Sequence, residues 1–218
     1  EPASLLWMIV NSQRVDEDLE VALRHADRWD QAIVLRRWWE GVTIDLEFRM
    51  FVVDGRPTGL TQYNQLVYSE RVARRGAAIA EALRRFAEAR VLPRLVGTPF
   101  AEAVRGRFAC DLALHPHALA QLDAGGELSD GLVKLVELNC FYEATGMGLF
   151  DYHADRARLN AGPFEWRVRT APQPHVAVKL EAEWRELLRP HGEPAARRLT
   201  DEAWCQLADA QQRGCARA

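Results

Sequence analysis

Residues 45–53 read Asp-Leu-Glu-Phe-Arg-Met-Phe-Val-Val, and Asp54-Gly55 follows before the chain returns through Pro57 to Tyr63. Asp-Gly between two apolar runs favours a tight hairpin turn, because both positions tolerate positive φ. Side chains alternate across an extended strand, so Leu46, Phe48, Met50 and Val52 share a face of continuous hydrocarbon that reads as core. Glu47, Arg49 and Phe51 share the other face. Two charged side chains among apolar neighbours call for a partner or a ligand, since an uncompensated charge is costly to bury.

Two more strands are expected downstream, over residues 106–114 (GRFACDLAL) and 132–140 (LVKLVELNC). On the first, Asp111 shares its face with Ala109 and Ala113, small neighbours that leave room around a carboxylate. On that basis, replacing Asp111 is expected to cost little in fold. On the second strand Glu137 and Asn139 stand at i and i+2, roughly 6.6 Å apart along the chain. Strict alternation sends Lys134 and Leu138 to the opposite face, together with Cys140.

If these strands are neighbours, Asp111, Glu137 and Asn139 converge. Carboxylate and amide oxygens of that kind suit Mg2+, which also keeps waters and substrate phosphates. Arg49 would offer forked donors to the same phosphates, and Glu47 would orient Arg49 or reach a second ion. The same residues equally describe a buried ion-pair network, and the sequence leaves both readings open.

Around this centre the pattern is mixed. Ser4 to Val10 reads as a strand, Asp16 to Trp29 as a helix capped by Asp16, and Ile33 to Trp39 as a strand. Glu70 to Leu95 reads as one long helix that Pro93 ends or bends, its arginine-bearing face solvated. Phe164 to Val168 is a further strand, and Val178–Leu188 and Thr200–Gln211 are helical. The order predicts an α+β fold, with flanking helices around an antiparallel sheet.

Other features add limits. Residues 141–151 (FYEATGMGLFD) leave the metal-type strand irregularly, so backbone donors and the Thr145 hydroxyl can approach an anion, or Gly146 and Gly148 serve only a turn. No phosphate-binding loop or dinucleotide glycine run is present. His115 and His117 read as loop histidines. Arg36 and Trp38 would lie on one side of their strand, suited to a nucleotide cleft or a single-stranded nucleic-acid platform, and equally to core packing.

The 218 residues are 48% hydrophobic, enough for one large or two modest domains. No apolar run of membrane-spanning length occurs, and no signal peptide is evident. Four cysteines without paired spacing fit a reducing, cytoplasmic setting, with Cys110 and Cys140 as small core hydrophobes. A formal net charge of -3 gives nucleic acid little support. The lysines are Lys134 and Lys179 alone, and the chain starts at Glu1, which leaves room for a processed or truncated N-terminus.

Taken in order, IVLRRWWE, EFRMFVVDGRPTGLTQY, RFACDLAL and LVKLVELNCFYEATGMGLFDY resemble the cell division cycle protein 123 family. The resemblance runs from about Leu5 to Val168. It implies an ATP-grasp-like fold over residues 1–168 and ATP or ADP with Mg2+ as ligands, while the helical extension over 169–218 has no clear counterpart in the family. It also implies that Asp111 and the strand carrying Glu137 and Asn139 bind Mg2+ and nucleotide phosphates, that Arg49 belongs to the same cleft, and that Val34 to Glu40, with Arg36 and Trp38, passes near the adenine; Glu47 joins that cleft by sharing the face of Arg49. The family more usually has aspartate at the Glu137 position. A phosphate-holding lysine from a smaller N-terminal lobe belongs to the ATP-grasp pattern, yet no lysine precedes Lys134. Part of that lobe is therefore expected to be missing here, or Arg36 or another arginine to take the lysine's place, or nucleotide binding to be impaired.

Eukaryotic members help assemble translation initiation factor 2 by binding its gamma subunit. The implied function is thus a magnesium-dependent ATP-binding protein that acts through a protein partner, in the manner of a chaperone. The alternative is an ATP-dependent carboxylate-amine ligase working through an acyl phosphate, its carboxylate pocket lined by arginines such as Arg105 or Arg107. No membrane or nucleic-acid partner is expected.

Overall fold

A computed structural model of the chain describes residues 2–173, apart from 26, 28–31, 38, 41, 127, 130 and 144. The chain divides into two compact units, Glu1–Trp39 and Glu40–Ala218. The expected helices over 178–188 and 200–211, and nearly all of the 169–218 extension, lie outside the described residues.

In the first unit, α1 (Pro2–Val10) and α2 (Gln13–Arg24) follow one another. The strand expected over Ser4–Val10 is a helix instead. A short apolar run lacks the polar alternation that separates the two, and Leu, Met and Ala favour the helix. Ser12, rather than Asp16, caps α2, its Oγ accepting from the Val15 N–H at 3.4 Å. That helix consequently starts three residues earlier than expected. Residues 32–37 form no strand, and Ile33, Val34 and Leu35 are exposed. A β-branched run becomes a strand only when a neighbour completes its ladder.

The second unit is built on one sheet. β1 (Glu47–Val53) and β2 (Arg56–Gln62) form the expected hairpin, with Asp54 and Gly55 at φ 51° and 71° as its turn requires. β3 (Arg107–Leu114) and β4 (Val133–Cys140) extend the sheet on one side, and β5 (Glu165–Arg167) on the other. The spatial order is β4-β3-β1-β2-β5. All pairings are antiparallel except that of β5 with β2. The architecture is therefore α+β, a mostly antiparallel sheet with flanking helices, as the sequence predicts.

One face of the sheet buries Leu46, Phe48, Met50 and Val52 against α4 (Gly76–Phe86) and its neighbours. The long helix breaks into α3 (Glu70–Ala73), α4, a π turn over Ala87–Val91, and α5 (Leu92–Leu95). Pro93 lacks an N–H and cannot continue a regular α-helical ladder; just before it, the Leu92 N–H bonds to Ala87 O, five residues back. On the outer side Arg84 pairs with Glu81 and Glu88, the solvated surface that its composition indicates.

The opposite face is half covered. Phe51, Val53 and Ala109 pack against Phe141, Phe150 and Leu159, the last from a short helix over Arg156–Ala161. The segment crossing this face is pinned where the Leu149 N–H donates to Thr61 Oγ1 at 2.9 Å. Arg167 adds a second clamp, with both nitrogens of its fork 2.7 Å from Asp155. Cys110 is buried, and burial pushes its thiol up to about 12, whereas Cys140 is exposed at the end of the sheet's edge strand. Among the described residues no helix is long and apolar enough to cross a membrane.

Candidate functional site

Three neighbouring rungs of the ladder on that face carry the candidate residues, and the apolar cluster covers Phe51 and Ala109 at one end. Arg49, Asp111 and Glu137 sit side by side on β1, β3 and β4. Phe51, Ala109 and Asn139 form the next rung, and Glu47, Ala113 and Lys134 the rung on the other side. The sheet thus brings together Glu47, Arg49, Asp111, Glu137 and Asn139, as expected from parity and hairpin pairing.

The last of these rungs departs from simple alternation. Asp111 faces Glu137, but Leu112 faces Leu135, so Val136 is an extra residue in β4. A bulge of one residue inverts the alternation beyond it. Leu135 joins the core, and Lys134 shares the face of Glu137 and Asn139. The expectation that Lys134 lies on the opposite face assumes an unbroken period of two, and the bulge corrects it.

Arg49 and Asp111 form a fork. Nε and Nη2 of Arg49 donate to Oδ1 and Oδ2 of Asp111, each at 2.8 Å, and Nη1 donates to the Gly146 carbonyl at 2.6 Å. The guanidinium also stands 4.9 Å from the centre of the Tyr63 ring. Asn139 Nδ2 donates to Asp111 Oδ2 at 3.1 Å and to Glu137 Oε1 at 3.0 Å. Side-chain exposure is 0% at Asp111 and 8% at Arg49, against 49% at Glu137. An incoming ligand therefore meets Glu137 and Asn139 first.

These contacts revise three expectations drawn from the sequence. Asp111 is enclosed instead of open, because Arg49 occupies the space beside it and Ala109 belongs to the apolar cluster. The carboxylate that orients Arg49 is Asp111. Thr145 directs its hydroxyl to the Cys140 carbonyl at 2.5 Å, closing the turn, and Gly146 contributes an acceptor where donors are anticipated. The Gly146 carbonyl and the Tyr63 ring carry no signal in the sequence, since neither residue type marks such a role.

Charge is unevenly matched here. Glu47, Asp111 and Glu137 surround one guanidinium. Burial, with Asp111 and Glu137 adding repulsion, pushes Glu47 up to about 7. Burial also pushes Asp111 up to about 6, against the pull of Arg49. Arg49 is held protonated: burial opposes its charge, but the hydrogen bonds to Asp111 outweigh it. Because Glu47 binds its proton more tightly when folded, its contribution to stability is complete below 4.5 and is lost as pH rises through about 7. Glu47→Gln is therefore expected to raise stability at pH 8 and to flatten its decline over that window. Urea titrations across pH check this, and an unchanged slope in the variant would rule out Glu47 as the titrating group.

Hard oxygen donors and surplus negative charge fit a divalent cation in chemistry. Among the described residues no group of three or more His, Cys, Asp or Glu side chains is placed to hold an ion, and Asn139 is the amide beside Asp111 and Glu137. A carboxylate has about four lone-pair sites, and Asp111 accepts three bonds. Turning the Asn139 amide over would present its Oδ1 and free a site on Asp111 Oδ2, two oxygens beside those of exposed Glu137.

Arg36 is exposed in the first unit, and Trp38 lies outside the described residues. Arg107 is on the same strand face as Asp111, about 13 Å away along β3 with the apolar cluster between. There it donates to Asn160 Oδ1 at 2.7 Å and stacks over Phe141, while Arg105 forms a positive-φ turn. Neither arginine lines this site.

Fold and site define an α+β protein whose sheet carries a carboxylate, guanidinium and amide cluster on a half-covered face. The D123 family model matches residues 2–181, and the chain belongs to this family, the cell division cycle protein 123 family. Comparison with curated proteins gives no match. Among solved structures the chain is similar to Cdc123 from Schizosaccharomyces pombe, at 18% identity and a TM-score of 0.47. A C-terminally truncated form of that protein gives 18% and 0.45. In each case 72% of this chain is covered, and it spans 57% of the other.

Proposed function

We propose that the chain is a magnesium-dependent ATP-binding protein of the ATP-grasp type that acts through a protein partner. The observation that carries this reading is the surplus of carboxylate around Arg49, with Glu137 exposed and Asn139 beside it. Three acids around one guanidinium, Glu47 and Asp111 desolvated, are relieved by a cation, and phosphates complete the coordination of Mg2+. Asp111, Glu137 and Asn139 would hold the ion, which when bound withdraws charge from the phosphates. Asp111 keeps Arg49 in a single orientation toward them, and the Gly146 carbonyl fixes its far side. Action through a partner follows from the family resemblance.

Asn139→Ala separates binding from folding, because Asn139 is partly exposed on an edge strand. Calorimetric titration is expected to show ATP affinity about tenfold or more lower in the variant when Mg2+ is present, with thermal stability nearly unchanged. Equal ATP affinity of the wild-type chain in Mg2+ and in EDTA would sink the metal assignment. Amine-dependent release of ADP and phosphate would replace partner action with ligase chemistry.

A further inference from the structure

We infer that Lys134 is a phosphate-contacting residue of this site; the assignment rests on the nucleotide reading above and adds a cation to it. The bulge at Val136 is the reason Lys134 faces the site at all. An unbroken ladder would set Leu135 opposite Ala113 and leave the lysine among the core residues. Bulges beside functional sites re-aim side chains in this way, and this one lies in an edge strand where the ladder is cheapest to disturb.

Position and exposure decide what the lysine can reach. Lys134 is exposed, one rung from Glu137 and about 6.6 Å from it along the strand direction. Ala113, fully buried, stands between it and Glu47 on the same rung. Arg49, in contrast, is nearly buried, with a side chain 8% exposed. Anionic groups arriving from solvent meet Lys134 before they meet Arg49. An ammonium is a point charge with three rotatable donors, suited to terminal phosphate oxygens whose positions vary. Its charge also offsets that of Glu137, which would otherwise repel a polyphosphate.

The ligand class is a nucleoside di- or triphosphate, with Lys134 on the distal phosphates. Lys134→Met is expected to weaken ATP and ADP binding in Mg2+ by about tenfold or more, the size of one charge-assisted contact, and to leave adenosine binding unchanged. Lys134→Arg should recover part of the loss. A second readout uses acylation by an amine-reactive ester, followed by mass spectrometry. ATP with Mg2+ should slow modification of Lys134 relative to Lys179, the only other lysine in the chain. Unchanged ATP affinity in Lys134→Met, or equal modification of Lys134 with and without nucleotide, would overturn this assignment while leaving the nucleotide reading intact. Failure of the wild-type chain to bind ATP would overturn both.

Discussion

Asp111→Ala is expected to cost about 3–5 kcal/mol of stability, the penalty for leaving one member of a buried ion pair without its partner. The Asp111 side chain is wholly enclosed and Arg49 is 8% exposed, so water cannot take over the lost contacts without opening the sheet. Both nitrogens of the fork lose their acceptors at once. Residues Ala109 and Ala113, which in the sequence suggest tolerance, offer no relief, since both are fully buried. Urea denaturation of wild type and variant measures the difference. The companion variant Arg49→Leu/Asp111→Leu should be less destabilised than Asp111→Ala, because neither member of the buried pair is then left charged without the other. A loss below about 1 kcal/mol in Asp111→Ala would mean that the fork is in effect a surface pair.

Phe51→Ala has an effect of similar size with a different origin. Phe51 is fully buried on the site's own face, its ring centre 5.1 Å from that of Phe141 and 5.7 Å from that of Phe150. Truncation removes the ring and leaves a cavity, for a loss of about 3–5 kcal/mol. The consequence extends to the site, because Phe141 and Phe150 bracket the turn whose Gly146 carbonyl holds Arg49. Hydrogen exchange should therefore accelerate in residues 141–150 more than on the helical face. Uniform acceleration over the whole second unit would show that the cluster does not seat that turn separately.

Much of the site is legible in the amino-acid order alone. Period-two alternation puts Glu47, Arg49 and Phe51 on one face of the hairpin, and the Asp-Gly turn fixes where the chain reverses. Parity likewise joins Glu137 to Asn139. The same rule fails three residues earlier, because alternation carries no information about a bulge and Val136 is an ordinary strand residue. The strand expected over Ile33–Trp39 fails for a related reason: a β pattern states a preference, but a ladder needs a partner.

What the sequence determines by itself is chemical and local. It supplies the acids, the arginine and the amide, their faces within each strand, and the motifs that carry family membership. Tertiary structure decides everything that depends on which strands meet. Neighbouring positions of β1 and β3 turn Arg49 and Asp111 from candidate ligand groups into a closed fork, since opposite charges on adjacent strands satisfy each other when water is excluded. The register of β4 against β3 decides that Lys134 joins them, because one extra residue in a ladder reverses every side chain beyond it.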